Sequence, residues 1–286
     1  GGVPGNVVPG CACAVLTAPA GAALPDAEHI TVTAIPGGYQ VEAVGVSAHG
    51  SHPEQGENAI GRLVCYLDRL PLEGDAKQAV HFLAEKLGTD PYGERLLGHR
   101  LEDALSGPMS CNWGLIEGDA QHLWVKLNYR YPVTMERADC QNAVQAAFEA
   151  AGWALDGQVH KEKLYYPAET PLVSALLEVY RDATGDNAPP KCIGGGTYAK
   201  MLPNVVAFGP LFAGDPVTEH QPDECIDLER LVQNAQIIAN AIVKLANLPL
   251  EQEGGRDYED HTGAAGPHFH PAAGAVQNGT AHCEQR

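Results

Sequence analysis

Three consecutive glycines, Gly194-Gly195-Gly196, followed by Thr197, lie in the segment Ile193–Lys200. Without Cβ atoms such a run exposes its backbone N–H groups and lets a ligand approach closely. It suits a carboxylate or peptide cradle, and a tight structural turn explains it equally well. It is not a Walker loop, and no G-x-G-x-x-G opens a helix after a strand here. Further on, His220 stands in Thr218-Glu219-His220-Gln221-Pro222-Asp223-Glu224, after an apolar segment and a Pro-containing loop. An imidazole there can ligate a metal or simply be a hydrogen-bonded loop histidine. Asp223 and Glu224 are most economically read as charge at the start of the following helix.

Two more residues could do chemistry. His49 ends an alternating run in Ser47-Ala48-His49-Gly50-Ser51-His52-Pro53, surrounded by small residues. Its ring could donate a hydrogen bond to a developing oxyanion, or be an exposed turn histidine. Arg130 lies near the end of the alternating run Leu123–Tyr131, flanked by tyrosines. A guanidinium in that setting can grip a carboxylate with two parallel hydrogen bonds, or form a cross-strand ion pair. No nucleophile–base pair is evident, because Ser47 and Ser51 are outside a Gly-x-Ser-x-Gly elbow.

The elements that must position these groups follow from periodicity. Cys11–Thr17, His29–Ile35 and Tyr39–Ser47 read as strands, the last two joined at Pro36-Gly37-Gly38. Asn58–Leu70 carries Ile60, Leu63, Val64, Leu67 and Leu70 at helical spacing, and Ala76–Leu87 is a second helix. Cys111–Glu117 and His122–Tyr131 are strands, Ala138–Ala151 a helix closed by Gly152, and Ala154–His160 a strand. This order predicts an α+β domain with a mostly antiparallel sheet. Beyond Thr170 the texture becomes α/β: helix Pro171–Thr184, short strands Lys191–Ile193 and Val205–Phe208, and helix Leu228–Leu245. The Gly-, Ala- and His-rich stretch from Glu251 shows no periodicity and is expected to be disordered.

The 286 residues carry a formal net charge of −18, which repels duplex nucleic acid and anionic membranes; neither is an expected partner. A hydrophobic content of 44% against 19% charged suits a soluble protein with a real core. No apolar run approaches the roughly 18 residues of a membrane span, and no signal peptide opens the sequence. The eight cysteines are scattered without a CxxC pair, so they are expected to be reduced and partly buried, in a cytoplasmic protein.

Taken together, the segments resemble the di-zinc dipeptidases of the PepV type, within the aminoacylase and carboxypeptidase G clan of metallopeptidases. The segments that carry the likeness begin with Gly1–Pro9, Gly45–Ala59 and Asp90–Gly93. Leu105–Gly107, Asn112–Gly114 and Asn128–Pro132 follow, then Gly194–Lys200, Phe208–Pro210 and His220–Glu224. Their order and spacing cover about residues 1–248.

The resemblance implies a catalytic domain with two zinc ions (manganese or cobalt being possible substitutes) and a lid that closes over a dipeptide. Residues 1–163 correspond to an α+β lid, 164–250 to the C-terminal part of an α/β zinc-peptidase domain, and 251–286 to a disordered tail. By the same resemblance His220 is the last zinc ligand and His49 stabilises the tetrahedral intermediate. Asn6 and Arg130 bind substrate, and Gly194, Gly195, Gly196 and Thr197 form the backbone cradle. Two departures stand out. Lys200 occupies a place where arginine is usual, which keeps the charge but loses the planar fork. The family's His-x-Asp, Glu-Glu and further aspartate ligands have no counterpart before Gly1. The chain by itself is therefore expected to be inactive. Two alternatives stay open: a non-enzymatic peptide-binding or dimerisation module, and an aminoacylase or tripeptidase of the same clan. Monomer and homodimer are both compatible with the sequence.

Overall fold

The computed structural model describes residues 1–2, 6–18, 22–119, 121–209, 211–216, 223–249 and, as backbone only, 268–271. The chain divides into two compact units, one built from Gly1–Lys161 with the strand at His268–Pro271, the other from Glu162–Asp260. Among the described residues no helix is long and apolar enough to cross a membrane.

The first unit starts with strands β1 (Cys11–Thr17), β2 (Ile30–Ile35) and β3 (Gly38–Val44), followed by helices α1 (Ala59–Leu67), α2 (Gly74–Lys86) and the short α3 (Glu94–Leu97). The small hairpin β4 (Glu102–Asp103) and β5 (Gly107–Pro108) comes next. Long strands β6 (Ser110–Gly118) and β7 (Leu123–Arg130), helix α4 (Arg137–Glu149) and strand β8 (Trp153–Gly157) complete the run. In the second unit are α5 (Pro171–Thr184) and α6 (Leu228–Ala246), and β9 (His268–Pro271) returns to the first. The sheets are antiparallel, ordered β1-β3-β2, β4-β5 and β6-β7-β9-β8. These small antiparallel sheets with packed helices are the mixed α and β architecture that the periodicity predicts for this part.

Local chemistry explains the elements. Asn58 opens α1 because its side-chain oxygen accepts from the N–H groups of Ile60 (2.9 Å) and Gly61 (3.2 Å), satisfying two otherwise orphaned donors. The same amide donates to the Trp113 carbonyl at 2.8 Å. That bond occupies part of the free edge of β6, and Cys111 N–H bonds the Pro91 carbonyl (2.7 Å) on the same edge. Position 61 must be glycine, since a Cβ would meet the Gly88 carbonyl oxygen at 2.0 Å. In β1, Ala12 is buried while Cys11 and Cys13 are half-buried on the opposite face, as strand alternation requires.

The core of the first unit joins Ile60, Leu63, Val64 and Leu83 to Leu127, Val144, Phe148 and Trp153. Phe148 meets Phe82 edge-on at 5.2 Å and Trp153 at 5.8 Å, the offset geometry that aromatic quadrupoles favour. The second unit has a smaller core of Leu176, Val179, Phe212, Ile237 and Ala241 between α5 and α6.

Three expectations need correction. Lys191–Ile193 and Val205–Phe208 are not strands. No neighbouring strand is present among the described residues of that unit to complete their ladders. Val206 and Phe208 instead pack against the small core, which is what their apolar character encoded. The stretch expected to be disordered from Glu251 contains β9, whose Phe269 pairs in register with Val125 of β7 and Leu155 of β8. An open edge on each of those strands offers a ladder to any extended segment, whatever its composition. Finally, Cys192 and Cys225 are exposed rather than partly buried.

Candidate functional site

The site begins where the chain lays Asn6–Val8 antiparallel to Ala48–Gly50. Val7 bridges His49, Val8 N–H bonds the Ala48 carbonyl at 2.9 Å, and Gly50 N–H bonds the Asn6 carbonyl. This close approach requires glycine, since a Cβ on Gly50 would sit 2.7 Å from the Asn6 carbonyl oxygen. The pairing brings two of the expected site residues together. The Asn6 side-chain amide lies 2.7 Å from Nε2 of His49. At the other ring nitrogen, Nδ1, stand the Ser51 hydroxyl and, at 3.2 Å, the Ser51 N–H.

Arg130 ends β7 directly opposite Ser110 of β6. Its Nη1 is buried and has no hydrogen-bond partner among the described residues. Burial pushes the guanidinium pKa down from its ordinary value. A buried donor atom without an acceptor is costly, so Nη1 is a candidate for receiving an anion. Among the described residues Arg130 makes no cross-strand ion pair, the expected alternative; its partner across the ladder is an uncharged serine. Ser110 Oγ and Asn112 Oδ1 are also buried without partners among the described residues, and both belong to the β6 residues that share Arg130's face of the ladder.

Two residues outside the expected set tie these groups to the fold. Asn112 donates through Nδ2 to the Val7 carbonyl at 2.9 Å, linking the β6–β7 ladder to the segment that pairs with His49. The sequence offered a signal for it only as part of the Asn112-Trp113-Gly114 segment. Asp103 holds the chain just beyond Arg130. One carboxylate oxygen accepts from Leu105 N–H (3.0 Å), Ser106 N–H (2.5 Å) and Ser106 Oγ (2.9 Å). The other accepts from Thr134 N–H (3.0 Å) and Thr134 Oγ1 (2.9 Å). Ser106 Oγ in turn accepts from Val133 N–H at 2.8 Å. Partial burial would raise the Asp103 carboxyl, but the Ser106 and Thr134 bonds outweigh it and hold it well below the usual carboxylate range.

The remaining expected residues are placed differently. In the second unit Gly194 and Gly195 are half-buried, while Gly196 and Thr197 are exposed before a single 3-10 turn at Tyr198–Met201. A Cβ at Gly196 would meet nothing within 4 Å, so the open space beside this backbone could admit a ligand. His220 lies outside the described residues. Among the described residues no group of three or more His, Cys, Asp or Glu is placed to hold a metal ion. They do not build the two-zinc centre that the resemblance implies. Cys111 is buried, and that burial pushes its thiol up to about 12.

Comparison with known proteins bears on this geometry. Residues 36–153 match the family model of the M20 peptidase dimerisation domain. The chain is 37% identical over 207 residues to "Putative dipeptidase YtjP" of Bacillus subtilis, covering 71% of this chain and 43% of that protein. It is 33% identical over 203 residues to a "Putative dipeptidase" of Staphylococcus epidermidis, covering 70% of this chain and 43% of the relative. To the Beta-Ala-Xaa dipeptidase of Lactobacillus delbrueckii it is 31% identical over 205 residues, 71% and 43% of the two chains. The chain thus spans less than half the length of these curated relatives, and the matched domain model covers residues 36–153 of it.

Proposed function

We propose that the protein hydrolyses dipeptides and that this chain supplies the substrate-gripping lid. The observation that carries this reading is the buried Nη1 of Arg130, without a partner among the described residues, in the same unit as the Asn6–His49 pair. The dipeptidase relatives support it. Arg130 takes the C-terminal carboxylate of the substrate through charge-assisted hydrogen bonds. His49 donates from Nε2 to the oxygen that becomes negative as the scissile carbonyl turns tetrahedral. Asn6, beside that nitrogen, binds the substrate backbone. In the second unit, Gly194, Gly195, Gly196 and Thr197 would offer N–H groups and a hydroxyl to a peptide backbone.

His220 would give one ligand to zinc. The partner ligands that the resemblance implies would complete that centre. Association with a second copy also belongs to this reading, supported by the match to a dimerisation domain.

Incubating the purified 286-residue chain with zinc or manganese and a dipeptide panel should give little or no turnover. Robust turnover abolished by a chelator would overturn the expectation that the chain is incomplete. The protein as produced in its native cell should turn over dipeptides in preference to tripeptides and N-acyl amino acids. A preference for either of those, or no hydrolysis at all, sinks the dipeptidase reading.

A further inference from the structure

Two groups of Ser51 converge on one ring nitrogen of His49. The backbone N–H stands 3.2 Å from Nδ1, and the hydroxyl oxygen is in closer contact with the same atom. A backbone N–H has only a proton to give, so at 3.2 Å it favours a lone pair on Nδ1 without alone enforcing it. The hydroxyl, in closer contact and rotated to donate to the same lone pair, supplies the rest of that preference. A neutral imidazole carries one proton, which then resides on Nε2. The Asn6 atom 2.7 Å from Nε2 is the amide nitrogen Nδ2, itself a donor. Two donors cannot face each other, so an Nε2–H ring requires the Asn6 amide, whose nitrogen and oxygen exchange places by a simple flip, to present its oxygen instead.

We infer that Ser51 is a positioning residue that fixes His49 as the Nε2–H tautomer. The inference rests on reading His49 as the oxyanion donor. The opposite tautomer would point a lone pair at a developing negative charge, a repulsive arrangement. The Nε2–H form points a proton there, and at rest that proton is held by Asn6. A substrate oxygen entering the site replaces the Asn6 oxygen on the same hydrogen. Asn6 is then free to offer its own NH2 group. The His-x-Ser spacing is what lets a residue two positions on reach back to the near side of the ring.

The test is nitrogen-15 imidazole spectroscopy on the full uniformly labelled chain at about pH 8, where histidine is neutral. The His49→Gln variant identifies the ring signals by their disappearance. The unsubstituted chain should show His49 as a single Nε2–H form. Ser51→Ala keeps the N–H but loses the hydroxyl, and should let a measurable fraction of the Nδ1–H form appear. Ser51→Thr restores the hydroxyl and should restore the single form. A predominant Nδ1–H form in the unsubstituted chain overturns the inference, without recourse to any variant. So does a Ser51→Ala spectrum indistinguishable from the parent. No turnover enters this readout. A protein that fails to hydrolyse dipeptides but shows the Nε2–H form loses the functional reading alone, and the reverse outcome loses only the role of Ser51.

Discussion

A charged donor buried without an acceptor makes stability and binding pull in opposite directions, and Arg130 is such a donor. Removing a half-buried guanidinium whose Nη1 has no acceptor among the described residues relieves part of a desolvation cost. Arg130→Met should therefore leave thermal stability unchanged or raise it, by about 1 kcal/mol. The same change removes the carboxylate grip. Calorimetry should show the parent chain preferring a dipeptide over its C-terminal amide, and the variant losing that preference by about tenfold, or ~1.4 kcal/mol. A variant that is clearly destabilised, with its ligand preference intact, would make Arg130 a structural residue. Arg130→Lys should fall between, since an ammonium keeps the charge but not the fork. At this scale the sequence was partly legible. Arg130 drew notice by its aromatic neighbours and His49 by its small ones. The absence of an ion pair at Arg130 was not legible, because it depends on the cross-strand register that seats it opposite Ser110. Register is set by tertiary pairing and cannot be read from a single strand.

The elements on which these residues sit were legible where periodicity was strong and obscure where pairing decided. The apolar spacing of α1 and α6 and the alternation of β1 and β7 marked them out. The β4–β5 hairpin has two-residue strands, too short for any period, and exists because Asp103 gathers its turn. That carboxylate also fixes Thr134, four residues beyond Arg130, so the hairpin bears on the site. Asp103→Asn replaces a charged acceptor by a weaker one and should cost about 1–3 kcal/mol at neutral pH. The sign of its pH dependence follows from the depressed folded-state pKa. Such a group contributes stability above its unfolded pKa of about 3.9 and loses it as pH falls through the lower folded value. The stability gap between parent and variant, measured by urea unfolding, should be full above about pH 5 and shrink steadily in stronger acid. A gap that is constant from neutral pH into strong acid would mean that the ionised carboxylate is not what the turn depends on.

On the scale of the whole molecule, the two units differ in how completely they bury their apolar surface. The first unit encloses a core drawn from strands and helices. In the second, α6 is apolar on two sides: Ile237 and Ala241 face the small core, while Leu228, Val232, Ile242 and Val243 are 75%, 58%, 62% and 64% exposed. At 3.6 residues per turn these exposed residues form one stripe, roughly opposite Ile237. The sequence read Leu228–Leu245 as a helix, and the helix is there; which apolar side meets a core depends on partners that a periodicity cannot count. A continuous exposed apolar stripe of this kind marks an interaction surface. The chain should therefore bind a hydrophobic dye at the second unit and self-associate with rising concentration, as followed by sedimentation velocity. Replacing Val232 and Ile242 together by lysine should suppress both behaviours. Because both side chains are exposed, each substitution should change stability by no more than about 0.5 kcal/mol. Ile237→Ala, on the buried side of the same helix, should instead cost about 2–5 kcal/mol and increase dye binding as the small core loosens. If the double-lysine variant unfolds the helix, or leaves dye binding and association untouched, the stripe is not an interaction surface and α6 is packed differently from this arrangement.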